Sequence, residues 1–238
     1  FSKLADIAPN AYAERAALIA ARLNYFNYQN YDLAEKYFSI LLQIATQKEN
    51  ITEANRLIPL IGKEMDEAYM QMIQSLSVYP EVCKAQHDLK IVYTSIHGTG
   101  ITLVPQILER FGFTNVTIVD EQKEPNGNFP TVVYPNPEEA EAMNIGLQKA
   151  KAMDADILLG TDPDSDRVGI AIKDHTGNWV LMNGNQTAVL AFNYMIEARK
   201  AKGINQPNDM VVKTIVTTDL IDKMCASKGV PCYNTLTG

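Results

Sequence analysis

Hydrophobic and polar positions change their rhythm once along this chain. Residues 11–48 contain no Gly or Pro, and their apolar positions recur at helical spacing. Two helices are expected there, over 11–25 and 32–45, joined by the polar turn Asn27–Tyr31, with Asp32 as the cap of the second. Helical spacing continues from Ile51 to Ser77, interrupted at Pro59, and a polar connection follows to Asp88. From Leu89 short β-branched runs alternate with helical stretches. Strands are expected at 90–96, 115–120, 155–159, 168–173 and 178–182, and helices at 101–111, 137–153 and 185–200. Gly112 is placed to stop the first of these helices, and Asp174-His175-Thr176-Gly177 to turn a hairpin. A last strand-helix-strand unit, 210–216, a helix to Lys228, and 230–236, closes the sequence.

This succession predicts an α/β fold: a three-layer α/β/α domain with a mostly parallel sheet, preceded by an all-α helical hairpin. The expected division is 1–50 for the hairpin, 51–88 for helix and linker, 89–206 for the α/β domain, and 207–238 for the start of another. A lone strand-helix-strand leaves a sheet face uncovered, so the last unit reads as incomplete. The first segment is similar to one tetratricopeptide repeat, with Tyr25, Tyr31, Ala34 and Phe38 at the aromatic and small packing positions. Its usual Trp and first Gly are absent, and a plain helical hairpin fits the same residues.

Charge narrows the function classes. The net charge of −7 argues against a nucleic-acid footprint. Residues 1–50 hold five basic and five acidic side chains, leaving 16 and 23 for the remainder, so the acidity lies downstream. No apolar run reaches the roughly 18 residues of a membrane span. Cys83, Cys225 and Cys232 are odd in number and lack CxxC spacing, which suits free thiols and a cytoplasmic setting.

The chemistry concentrates in Gly160-Thr161-Asp162-Pro163-Asp164-Ser165-Asp166-Arg167. Three alternating carboxylates at the mouth of an apolar strand repel one another, and a hard divalent cation with oxygen ligands resolves that repulsion. The bland alternative is a solvated acidic turn. His97-Gly98-Thr99-Gly100 ends an earlier strand at the same sheet edge, where glycines let backbone approach a ligand and the following helix offers N–H groups. His97 serves there either as a hydrogen-bonding residue of the fold or as support for a phosphate or cation.

Residues 56–238 resemble the α-D-phosphohexomutase family, the phosphoglucomutases and phosphomannomutases. The resemblance rests on Thr161–Arg167, His97–Gly100, Gly184-Asn185-Gln186-Thr187, Phe129-Pro130 with Pro135–Glu138, and Val212–Thr218. It implies transfer of a phosphoryl group between O1 and O6 of a hexose phosphate, with glucose or mannose 1- and 6-phosphates as partners. It implies Mg²⁺ as cofactor on Asp162, Asp164 and Asp166, Arg167 and His97 in support, and phosphate or substrate contacts from Gly98, Thr99, Gly100, Thr237 and Gly238. Arg167 would pair with a phosphate or orient a carboxylate, or form a structural ion pair. The family's phosphoserine loop Thr-Ala-Ser-His-Asn-Pro, its sugar-recognising Gly-Glu-Glu-Ser and its Arg-x-Ser-Gly-Thr phosphate loop do not occur in this sequence. The expectation is therefore a phosphohexomutase fragment, inactive alone. A helical protein-interaction module carrying a non-catalytic α/β domain is the alternative. An aspartyl-nucleophile phosphatase fits less well, because its aspartates follow the first strand rather than the third.

Overall fold

The computed structural model describes residues 17–21, 24, 31–44 and 63–237. The chain divides into two compact units, Phe1–Ser75 and Leu76–Gly238. In the first unit residues 17–21 are helical, and α1 spans Tyr31–Ile44 with Asp32 in its first turn. Ala17, Ala20, Ala21, Ala34, Tyr37, Phe38 and Leu41 bury one another, so small alanines on one helix admit the aromatic rings of the next. Helix α2 spans Lys63–Ser75. The expected helix ends near residues 11, 25 and 51, residues 27–30 of the expected turn and the break at Pro59 lie outside the described residues. Tyr31, expected in the turn, and Asp32, expected as the cap, are already helical.

The second unit holds a five-stranded sheet in the order β2-β1-β3-β4-β5. Its strands are β1 Ile91–Thr94, β2 Val116–Ile118, β3 Ile157–Thr161, β4 Val168–Lys173 and β5 Trp179–Met182. β1 pairs in parallel with β2 and β3, while β4 is antiparallel to both β3 and β5. Four strands thus run one way and β4 alone is reversed. All four residues of β1 are buried, as an interior strand of an α/β sheet demands. The hairpin between β4 and β5 turns on Asp174, whose carboxylate accepts hydrogen bonds from the amides of Thr176 and Asn178, and on Gly177 at φ +85°.

Helix α3, Pro80–Ala85, occupies what reads in sequence as a polar connection; Pro80 sits in its first turn, where a missing N–H costs nothing. A 3-10 turn at Thr99–Ile101 precedes α4, Val104–Phe111. Gly112 does end α4: at φ +104° its amide bonds Glu109 O and that of Phe113 bonds Leu108 O. Helix α5 spans Ala140–Ala152, starting three residues later than the proline signal suggests. Pro137, Glu138 and Glu139 instead continue a turn at Asn136, whose Oδ1 and carbonyl accept from the amides of Glu138 and Glu139. The Pro137 carbonyl presses on Gly169 of β4, so closely that a Cβ at Gly169 would meet it at 2.2 Å.

Met143, Ala142 and Ala150 of α5 bury against Val92, Leu158 and Ala171 of the sheet, with Ile96, Val119 and Val132 closing the cluster. Helix α6, Gly184–Ala201, opens with a capping box made by Asn183 and Gln186. It leads to β6 Val211–Thr214, α7 Leu220–Lys228 and β7 Cys232–Thr235, with β6 and β7 paired in parallel. Val211, Ile221 and Cys225 form their core, against which Val189, Phe192 and Ile196 of α6 pack. Among the described residues no helix is long and apolar enough to cross a membrane.

Leu158 is wholly buried between α5 and the sheet. Leu158→Ala is expected to lower the stability of the second unit by about 2–5 kcal/mol, read as an earlier midpoint in urea unfolding of the full chain.

Candidate functional site

The acidic run leaves β3 at Thr161 and returns into β4 at Val168. Asp162 is 1% exposed, and a carboxylate withdrawn from water needs compensation close at hand. Arg167 supplies it: its backbone N–H donates to Asp162 Oδ1 at 3.0 Å and its Nε–H to Oδ2 at 2.7 Å. Burial alone would raise the Asp162 carboxyl, but the Arg167 amide and guanidinium outweigh it and hold the group below its ordinary value. The Ser165 amide donates to Asp162 O at 3.1 Å, and Ser165 takes the left-handed conformation at φ +62°. The closed turn leaves Asp164 and Asp166 exposed. One carboxylate oxygen from each of the three aspartates lies within 4.8 Å of the others. Contact with Asp162 and the charges of Asp164 and Asp162 push the Asp166 carboxyl up. Oxygen-only donors at this separation fit a hard divalent cation.

The His97–Gly100 turn lies directly on this loop. Thr99 N–H and Oγ1 both donate to Pro163 O, at 2.9 and 3.2 Å. A Cβ at Gly98 would stand 2.4 Å from Pro163 Cα, and one at Gly100 would stand 2.6 Å from Thr161 Oγ1. The glycines therefore serve contact between two loops, where the sequence suggests approach to a ligand. His97 reaches the same strand end, but its ring faces the long loop after β2. Nδ1 donates to Glu124 O at 3.0 Å, and Nε2 meets Thr131 Oγ1 at 2.9 Å. Both ring nitrogens are engaged, so the geometry gives His97 a positioning part. Thr237 is exposed beyond β7, and Gly238 lies outside the described residues.

Several residues that matter here give no local signal. Gln122 is fully buried; its Oε1 accepts from Thr94 Oγ1 at 2.7 Å, and its Nε2 donates to Thr131 Oγ1 and Ala142 O. Its backbone carbonyl accepts from His97 N–H and Ser95 Oγ. Tyr93, also fully buried, places its hydroxyl 2.8 Å from Thr161 Oγ1, and burial pushes its phenol up to about 12. Tyr134 lies beside the Arg167 guanidinium. Glu138, inside the Pro135–Glu138 run, accepts from Gly184 N–H at the head of α6 at 2.9 Å. A polar residue inside or just beyond a strand is the only hint the sequence holds of Tyr93 or Gln122.

Gly98 has φ −104°, which any residue adopts, so Gly98→Ala isolates the steric demand of the loop contact. A loss of about 1–3 kcal/mol is expected in denaturant unfolding. Arg167→Gln is expected to lose about 1–2 kcal/mol at pH 7, the guanidinium being 46% exposed and screened by solvent. Because the Asp162 carboxyl is depressed in the folded chain, the stability it contributes is full above the ordinary aspartate value of 3.8 and is lost as pH falls through the folded value. The gap between wild type and Arg167→Gln should therefore close below about pH 4, in unfolding curves recorded from about pH 7 to 3.

Residues 67–177 match the family model for phosphoglucomutase/phosphomannomutase α/β/α domain II, and residues 183–238 match that for domain III. A phosphoglucomutase of Staphylococcus epidermidis strain RP62A is 37% identical over 188 residues, covering 79% of this chain and 33% of the relative. One from Staphylococcus aureus strain N315 is 31% identical over 212 residues, covering 87% of this chain and 36% of the relative. This chain spans about a third of the length of these curated relatives. A solved structure described as a phosphomannomutase, from Thermus thermophilus, shares the fold with a TM-score of 0.57 at 22% identity, over 73% of this chain and 36% of that one. The two domain models together match well over half of the sequence, and the chain belongs to the phosphoglucomutase/phosphomannomutase family, the α-D-phosphohexomutases.

Proposed function

We propose that this chain is the cation-holding part of a phosphohexomutase, an enzyme that interconverts hexose 1-phosphate and hexose 6-phosphate, with glucose or mannose phosphates as its substrates. The observation that carries the reading is the convergence of Asp162, Asp164 and Asp166, one carboxylate buried and two exposed, at the end of β3. Family membership supports the same reading. Residues 51–88 are proposed as the end of a first mutase domain, 89–206 as the second and 207–238 as part of the third, with 1–50 a separate helical segment.

Asp162, Asp164 and Asp166 would hold Mg²⁺. Bound there, Mg²⁺ neutralises negative charge that gathers on a phosphoryl group in transfer. The chain's own residues do the rest. Arg167 fixes the orientation of Asp162 with two hydrogen bonds and leaves part of its guanidinium in solvent, where it offers positive charge to a phosphate. Thr99, bonded to Pro163 O, holds the loop shut from the other side. Gly98 and Gly100, both buried, let that turn seat, so of the phosphate contacts proposed for Gly98, Thr99 and Gly100 the exposed Thr99 is the one open to solvent. Nucleophile, sugar clamp and distal phosphate clamp are to come from motifs that this sequence does not contain.

Mn²⁺ or Mg²⁺ titration of the full chain by calorimetry is expected to give weak binding that Asp164→Asn weakens on the order of tenfold or more; tight binding indifferent to that change would sink the assignment. A coupled assay for conversion of glucose 1-phosphate to glucose 6-phosphate is expected to show no turnover by this polypeptide alone, and Mg²⁺-dependent turnover would overturn the fragment reading.

A further inference from the structure

Three hydroxyls from separate parts of the chain meet beneath the acidic loop, around Gly100. A Cβ at Gly100 would stand 2.5 Å from Tyr93 Oη, 2.6 Å from Thr161 Oγ1 and 2.8 Å from Ser165 Oγ. Tyr93 belongs to β1, where it pairs with Leu159 of β3, and its phenol reaches on to the strand end. There it shares a 2.8 Å hydrogen bond with Thr161, which is itself almost wholly buried. Thr161 directly precedes Asp162. Ser165 stands between Asp164 and Asp166 and is the residue whose left-handed turn throws those two outward. The buried phenol and the missing Cβ of Gly100 thus bear on both ends of the aspartate run.

We propose that Tyr93 is a positioning residue for the cation: its hydroxyl fixes Thr161, and through Thr161 the separation of buried Asp162 from Asp164 and Asp166. The inference rests on the reading of this loop as a cation site. Its consequence is selectivity. Mg²⁺ demands near-octahedral oxygens at about 2.0–2.1 Å, whereas Ca²⁺ accepts a looser set at about 2.3–2.6 Å. A loop released from its prop therefore loses Mg²⁺ affinity more than Ca²⁺ affinity. A tyrosine that merely fills the core would change stability and leave that ratio alone.

The test uses the full chain and Mn²⁺, followed by electron paramagnetic resonance, with Mg²⁺ and Ca²⁺ as competitors. Tyr93→Phe keeps the ring and removes the hydroxyl. It is expected to reduce Mg²⁺ affinity about tenfold, as loss of an outer-shell partner does, with a smaller fall for Ca²⁺. Thr161→Val removes the same bond from the other side and is expected to match it. The double variant is expected to be no weaker than either single one, because both changes break one interaction. Thr161→Val carries the test by itself if Tyr93→Phe does not fold. An unchanged Mg²⁺-to-Ca²⁺ ratio in the single variants, or additive losses in the double, overturns the role of Tyr93 while the loop stands. Absence of Mn²⁺ binding to the wild-type chain overturns the cation reading, and the role of Tyr93 with it.

Discussion

A carboxylate buried at the end of a strand constrains much of what surrounds it. Asp162 is out of water, and the nearest cation in sequence is Arg167. Bringing amide and guanidinium of Arg167 onto both carboxylate oxygens closes the intervening chain into one tight turn. That closure requires a left-handed residue, which falls to Ser165, and it leaves Asp164 and Asp166 to solvent. The acidic cluster is thus a by-product of how one buried charge is satisfied. Two exposed carboxylates are set against a third that Arg167 holds at both oxygens, and that is the arrangement a small hard cation can exploit.

The neighbouring turn is built to fit this loop. Ile96 and His97 both take positive φ, +46° and +59°, and for a buried β-branched residue that is strained backbone. Hydrogen bonds on every side hold it: His97 N–H to Gln122 O, Gly98 N–H to Ser95 O, Asn126 N–H to His97 O, and Ile96 N–H to Thr94 Oγ1. Gln122, which accepts the first of these, also joins β1, the loop after β2 and the first turn of α5 through its side chain. The result delivers Gly98 and Thr99 against Pro163, where only a residue without Cβ fits at Gly98. The His97 ring belongs to this scaffold, pinned at both nitrogens.

Much of the fold is legible in the sequence. The alternation of apolar runs with helical spacing marks the five strands of the sheet, and Gly112 and the Asp174–Gly177 turn sit where local backbone chemistry needs them. The start of α5 departs from its sequence signal because Pro137 is an equally good turn residue, and Asn136 captures the amides that a helix would otherwise use. α3 leaves no such signal, because six residues with no buried side chain make no periodic stripe.

The acidic loop declares itself in sequence because its chemistry is local: three carboxylates two residues apart and an arginine beside the last. A like-charge cluster at a strand end carries its own physical signature, needing no knowledge of the rest of the chain. What the tertiary structure alone decided is which aspartate is buried, why the glycines of the neighbouring turn are glycines, where the His97 ring points, and that Tyr93 and Gln122 stand beneath the site. Most of these depend on groups 27 to 68 residues apart meeting at hydrogen-bond distance. Spacing along a chain encodes the period of an element and the chemistry of a turn. It does not encode the register between strands, and that register brings Tyr93 to Thr161.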